Sequence, residues 1–193
     1  MSNPVPQVRS VSALRSAVAA WRASGARIGL VPTMGALHEG HLSLVTLLKQ
    51  TTDKVVVSIF VNPTQFAPHE DFDSYPRTED SDLQKLASVG ADLAFLPNSK
   101  EMYPAGFATQ VSVGGVTSRL EGVSRPHFFN GVATVVTKLL LQCGADAAAF
   151  GEKDYQQLLT IKRFARDLDI PTEIIGGATL READGLAMSS RNA

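Results

Sequence analysis

The chain is short of the residues that would place it in several common classes. Cys143 is its only cysteine in 193 residues, so no intramolecular disulfide can form and nothing points to an oxidising compartment. A small buried hydrophobe is the role expected for it. Charge of one sign is also lacking: 18 basic side chains face 19 acidic ones, which argues against a broad footprint for nucleic acid or an anionic membrane surface. No run reaches the ~18 apolar residues that a membrane span needs, and Met1 to Ser10 carries two prolines and no apolar signal core. The expected setting is therefore the cytoplasm, with no membrane and no nucleic-acid partner. Repeats of roughly 20 to 50 residues are absent, which excludes solenoids. Neither G-x-G-x-x-G nor G-x-x-x-x-G-K-[ST] occurs, which weighs against a dinucleotide site or a P-loop.

What is present is an alternation of apolar strands and amphipathic helices. Strands are expected at 28–31, 54–61, 91–96, 146–150 and 171–175, with an edge strand at 110–113. Between them the spacing predicts helices over 11–24, capped by Ser10 or Ser12, over 40–52, and over 78–90, capped by Thr78. A long apolar helix follows at 132–142, and Gly151 to Asp154 opens another that runs to about Leu168. Pro68 to Arg77 reads as an exposed loop and Thr179 to Leu186 as a polar crossing. The expected fold is a single α/β domain over 1–193, a doubly wound, Rossmann-like parallel sheet of about five strands with helices on both faces.

The stretch from Val31 to His41, V-P-T-M-G-A-L-H-E-G-H, leaves a buried strand and opens a helix. Unpaired N–H groups and the positive end of the helix dipole attract anions there, and Gly40 allows close approach. His38 and His41 are three residues apart, so in one helical turn their rings project to the same side and each can donate to a phosphate oxygen. Asn62 and Gln65 leave the carboxyl end of the second strand, where open α/β sheets bind ligands. Turn chemistry explains that Asn-Pro equally well. Lys153 and Gln157 stand four apart, able to face one ligand or simply solvent. Glu79, Asp80 and Asp82 fall in a first helical turn, where acids usually complement the dipole; Asp82 is the candidate among them for holding Mg²⁺.

The H-E-G-H word at His38 to His41 resembles the H-x-G-H signature of the nucleotidyltransferase superfamily. Three longer words, P-T-M-G-A-L-H-E-G-H at Pro32, F-V-N-P-T-Q-F at Phe60 and G-E-K-D-Y-Q-Q at Gly151, together resemble the pantothenate synthetases over essentially the whole chain. That resemblance implies an ATP-dependent ligase that condenses pantoate with β-alanine through a pantoyl adenylate, giving pantothenate, AMP and pyrophosphate, with Mg²⁺ accompanying ATP. It implies that His38 and His41 contact the phosphates and that Lys153 neutralises charge at the α-phosphorus. By the same likeness Ser189, Ser190 and Arg191 close on the pyrophosphate, Gly151 and Asp154 hold the ribose, and Met188 lies near the adenine. Gln65 and Gln157 would bind pantoate in a pocket lined by Pro32, Thr33 and Met34. Neutral amides suit that task, because a bidentate arginine would hold the carboxylate's electrons and blunt the nucleophile.

Two departures accompany the likeness. At Arg125 to Gly131 the family places a glycine and a histidine where this chain has His127 and Phe128, which puts a role for that loop histidine in doubt. The family also carries a smaller C-terminal lid domain, which these 193 residues do not contain. Since lids exclude water and complete a catalytic set, the chain is expected to bind substrates and turn over poorly. A homodimer is implied as well. The competing readings are another H-x-G-H adenylyltransferase acting on a phosphate acceptor, and a nucleotide-binding module without catalysis.

Overall fold

The computed structural model describes residues 4–66, 72–125 and 127–192. Of the regions read from sequence, Met1 to Asn3 of the N-terminal segment and Pro68 to Asp71 of the expected loop lie outside the described residues. Six strands, β1 (Gln7–Val8), β2 (Ile28–Thr33), β3 (Lys54–Ile59), β4 (Leu93–Phe95), β5 (Ala147–Gly151) and β6 (Glu173–Gly177), form one parallel sheet in the order β1-β4-β3-β2-β5-β6. The helices are α1 (Val11–Ala23), α2 (Glu39–Leu48), α3 (Glu79–Ser88), α4 (Ser99–Met102), α5 (Glu121–Ser124), α6 (Phe128–Cys143) and α7 (Tyr155–Asp167), with short 3₁₀ turns at Pro63–Gln65 and Glu152–Asp154.

Strand alternation sorts the core into two layers. Leu30, Val56, Phe95, Ala148 and Phe150 pack under α1, α6 and α7, while Val31, Val55, Val57, Ala147 and Ala149 pack under α2 and α3. Both faces of the sheet are thus covered, as near-continuous apolar strands require. Three aspartates fasten the amino ends of neighbouring strands. Asp146 accepts from Ile28 N at 2.7 Å, Asp92 from Val55 N at 2.9 Å and Asp53 from Arg27 N at 2.8 Å.

Several local expectations need correction. The sheet has six strands, because β1 joins β4 through only two residues, too few to leave a periodic trace. Residues 110–113 are not a strand; their chain runs over α6, with Val111 N donating to Thr134 Oγ1 at 3.0 Å. Ser10 caps α1, its Oγ accepting from Ala13 N at 3.2 Å, whereas Thr78 makes no side-chain cap bond to α3. Tyr75, expected on an exposed loop, is 5% exposed and packs edge-on against Phe66.

The strand order reverses between β2 and β5, the place where doubly wound sheets open a crevice beyond the carboxyl ends of their strands. β2 pairs with β3 along its whole length but with β5 only at Gly29 and Leu30. Thr33 C=O accepts from Phe60 N at 3.0 Å on the β3 side, so alternation turns Pro32 toward β5, where it offers no N–H. The two strands part there and the cleft lies in the gap.

Candidate active site

Beyond Pro32 the chain makes a tight turn in which Gly35 has φ +85° and Ala36 φ +50°. Glycine adopts that conformation at no steric cost, whereas Ala36 needs to be held. Asp82 holds it: one carboxylate oxygen accepts from Ala36 N at 2.9 Å and the other from Leu37 N at 2.8 Å. From the same face of α3, Lys85 Nζ donates to Leu37 O at 2.6 Å. α3 thereby grips the turn that delivers the two histidines.

His38 is the N-cap of α2, and the two imidazoles and the backbone form a reciprocal box. His38 Nδ1 accepts from Gly40 N at 3.2 Å, and His41 Nδ1 accepts from His38 N at 3.3 Å. With both Nδ1 atoms accepting, each neutral ring carries its proton on Nε2. The ring centroids are 4.1 Å apart. A Cβ at Gly40 would lie 2.9 Å from His38 Cε1, so a side chain there would push the His38 ring from its place. Burial, the neighbouring His38 and the charges of Lys153 and Lys85 lower His41 to about 3; burial first and then Lys153 and Lys85 lower His38. Both directions favour the neutral ring, which presents Nε2–H.

Across the gap, β5 ends at Gly151 and the 3₁₀ turn presents Lys153, whose Nζ lies 3.2 Å from Asp154 Oδ1. α7 begins immediately afterwards, with no side-chain cap bond from Asp154 to its first amides. The last described segment folds back as a small hairpin closed by the antiparallel bridge between Arg181 and Ala187. It returns Met188 to Arg191 to the mouth of the cleft, where Ser190 Oγ donates to Ala36 O at 3.0 Å and the Arg191 guanidinium lies 5.6 Å from the Tyr75 ring centre.

The resulting cleft has a volume of about 270 Å³. Of the residues singled out in the sequence, it brings together Pro32, Thr33, Met34, His38, Gly40, His41, Gln65, Gly151, Lys153, Asp154, Gln157, Met188, Ser189, Ser190 and Arg191. Two others stand elsewhere. Asn62, expected to touch pantoate, is 1% exposed and does not line the cleft; its amide is engaged by Gln65, Thr64, Tyr103 and Gly131. Asp82, expected as a Mg²⁺ ligand, is also 1% exposed, with both oxygens bonded to the Ala36 and Leu37 amides. Among the described residues no group of three or more His, Cys, Asp or Glu side chains is placed to hold a metal. Sequence reasoning left Arg125 without a role. In the structure it lines the cleft, donates to Gln65 O at 3.2 Å and stacks at 4.2 Å over Phe128, one of the two residues that depart from the family pattern.

A parallel sheet split at its switch point, with imidazole donors from one strand facing a lysine from the other, defines a nucleotide-binding α/β protein of the nucleotidyl-transferring kind. The chain belongs to the pantoate-beta-alanine ligase family: the family's profile, described as "Pantoate-beta-alanine ligase", matches residues 6–193. It is 62% identical over all 193 residues to the pantothenate synthetase of Caulobacter vibrioides and spans 67% of that protein's length. Among solved structures, the pantothenate synthetase of Thermus thermophilus superimposes with a TM-score of 0.93 at 50% identity, over 97% of this chain and 67% of that one. The pantoate-beta-alanine ligase of Francisella tularensis, described as complexed with beta-gamma ATP and beta-alanine, gives a TM-score of 0.93 at 42% identity, over 97% of this chain and 72% of that one. No helix among the described residues is long and apolar enough to cross a membrane.

Proposed function

We propose that the cleft joins pantoate to β-alanine at the expense of ATP. A carboxylate oxygen of pantoate attacks the α-phosphorus, the bond to pyrophosphate breaks, and a pantoyl adenylate forms. The amine of β-alanine then attacks the acyl carbon, losing a proton as AMP departs with the C–O bond electrons. The observation that carries this reading is the gathering in one cleft of two Nε2–H imidazoles and Lys153 with the neutral amides of Gln65 and Gln157.

In this reading His38 and His41 donate to phosphate oxygens, and Lys153 neutralises the charge that grows at the α-phosphorus, an electrostatic contribution made by groups already in place. Gly151 and Asp154 hold the ribose and Met188 lies against the adenine. Ser189, Ser190 and Arg191 follow the pyrophosphate. Gln65 and Gln157 orient pantoate over Pro32, Thr33 and Met34. Mg²⁺ enters on the phosphates of ATP. A cytoplasmic setting and a homodimer are part of the proposal; the exposed Leu120 and Val123 support the latter, and sedimentation of the chain tests it.

ATP–pyrophosphate exchange tests the chemistry. Exchange should require pantoate and fall by at least about a hundredfold in His41→Ala. Exchange that ignores pantoate, as a phosphate-accepting adenylyltransferase would show, or that survives the substitution, rejects the assignment. These 193 residues leave Asp154 and Lys153 solvent-accessible at the cleft mouth, so ATP and pantoate should bind while net turnover stays slow. A full-speed, saturable rate from this chain alone overturns that part.

A further inference from the structure

We infer that Tyr103, which lies outside the cleft, is a positioning residue for pantoate: through Asn62 it helps to hold the end of the Gln65 amide that faces the substrate. The inference rests on the assignment of Gln65 to pantoate made above.

The Asn62 side chain is buried behind the 3₁₀ turn that carries Gln65. Its carbonyl accepts from Tyr103 O–H at 2.8 Å, Thr64 Oγ1 at 3.0 Å and Thr64 N at 3.3 Å. The Tyr103 bond is the shortest of the three. A backbone N–H can only donate, so the oxygen of Asn62 must lie on this side and its NH₂ on the other. That NH₂ donates to Gln65 Oε1 at 2.9 Å and to Gly131 O at 3.3 Å, both acceptors. Gln65 has then committed its oxygen to Asn62, and what it offers the cleft is its own NH₂. Two uncharged donors are what a carboxylate needs to be oriented while keeping its nucleophilic electrons.

Tyr103 is well placed to hold this arrangement. It follows α4, and its ring packs between Phe60 and Phe107, with centroids 6.1 and 5.1 Å away. Burial raises its hydroxyl above the usual phenol range, so the group stays a donor at neutral pH. Without that hydroxyl, Asn62 loses its shortest bond and is oriented only by Thr64 and the longer contact to Gly131 O, and the Gln65 amide gains freedom to turn its carbonyl toward the incoming carboxylate.

The test is calorimetric titration of pantoate in the presence of α,β-methylene-ATP, and of that analogue alone, for the parent chain, Tyr103→Phe, Gln65→Ala and the double variant. Tyr103→Phe keeps the ring and its packing, and should raise the pantoate Kd roughly fivefold while leaving the affinity for the nucleotide analogue unchanged. In the Gln65→Ala background the same substitution should have no further effect. Unchanged pantoate affinity in Tyr103→Phe, equal losses for both ligands, or additive losses in the double variant overturn the inference while leaving Gln65 in its role. Should Gln65→Ala itself bind pantoate normally, the assignment of Gln65 falls and this inference falls with it.

Discussion

His41 is neutral because folding removes it from water and sets it beside another imidazole and two lysines. Its folded pKa, lowered to about 3, lies below the 6.5 of the unfolded chain, so between those values the unfolded state binds more protons than the folded one. Stability therefore falls as pH drops from 6.5 toward 3, by at most about 1.4 kcal/mol per pH unit from this group. His38, lowered in the same direction, adds to the slope. His41→Gln should flatten the acid side of the stability curve measured by urea unfolding at several pH values, while the parent and variant converge near neutrality. An equal acid slope in both would show that the imidazole stays charged in the fold. Residue types at their spacing announced this pair, since a glycine between two histidines at a helix start is legible in one dimension. That Asn62 and Asp82 would stand outside the lining of the cleft was not legible, for the complementary reason. A polar side chain in a loop looks the same on paper whether it meets a ligand or a buried amide, and only packing distinguishes them.

At the scale of elements, the site depends on two helices pressing on two turns. α3 grips the turn before the histidines through Asp82 and Lys85. Asp82→Ala should cost about 1–3 kcal/mol, because it leaves two buried amides unpaired next to the strained Ala36. It should also weaken ATP binding more than pantoate binding, which titration of each ligand would show. α6 presses on the turn that bears Gln65, and a Cβ at Gly131 would lie 2.4 Å from Thr64 O. Gly131→Ala should destabilise by about 1–3 kcal/mol and loosen pantoate, whereas Gly114→Ala, where the added Cβ meets nothing, should leave both unchanged. α6 begins at Phe128 rather than at Val132 as the sequence suggested, so Gly131 lies inside its first turn. The glycine reads as a loop residue, yet here it is helical, and a side chain is excluded because another backbone needs its space. The strands with long apolar runs and the helices with clear periodicity stood out because burial on fixed faces dictates their spacing. β1 and the short α4 and α5 did not, since elements of two to four residues make no full period.

Across the whole molecule, alternation of strands and helices foretold the parallel doubly wound class, but the strand order came only from three dimensions. Spacing cannot say that β5 crosses to the far side of β2. That crossing places His38 and His41 on one half of the sheet and Lys153 and Gln157 on the other, the halves joined by the two-pair ladder of β2 with β5 and by helix packing across it, α2 on β5 and α6 on α1 and β2.

The exposed Gly114 and Gly115 lie on the connection between these halves, outside the lining of the cleft. A chain severed between them should therefore reassemble from its two pieces when they are mixed. Neither piece alone would retain ATP on a filter, while an equimolar mixture would. Division of labour across the β2–β5 seam makes the enzyme a natural split reporter, in which nucleotide capture registers the reunion of two otherwise silent fragments.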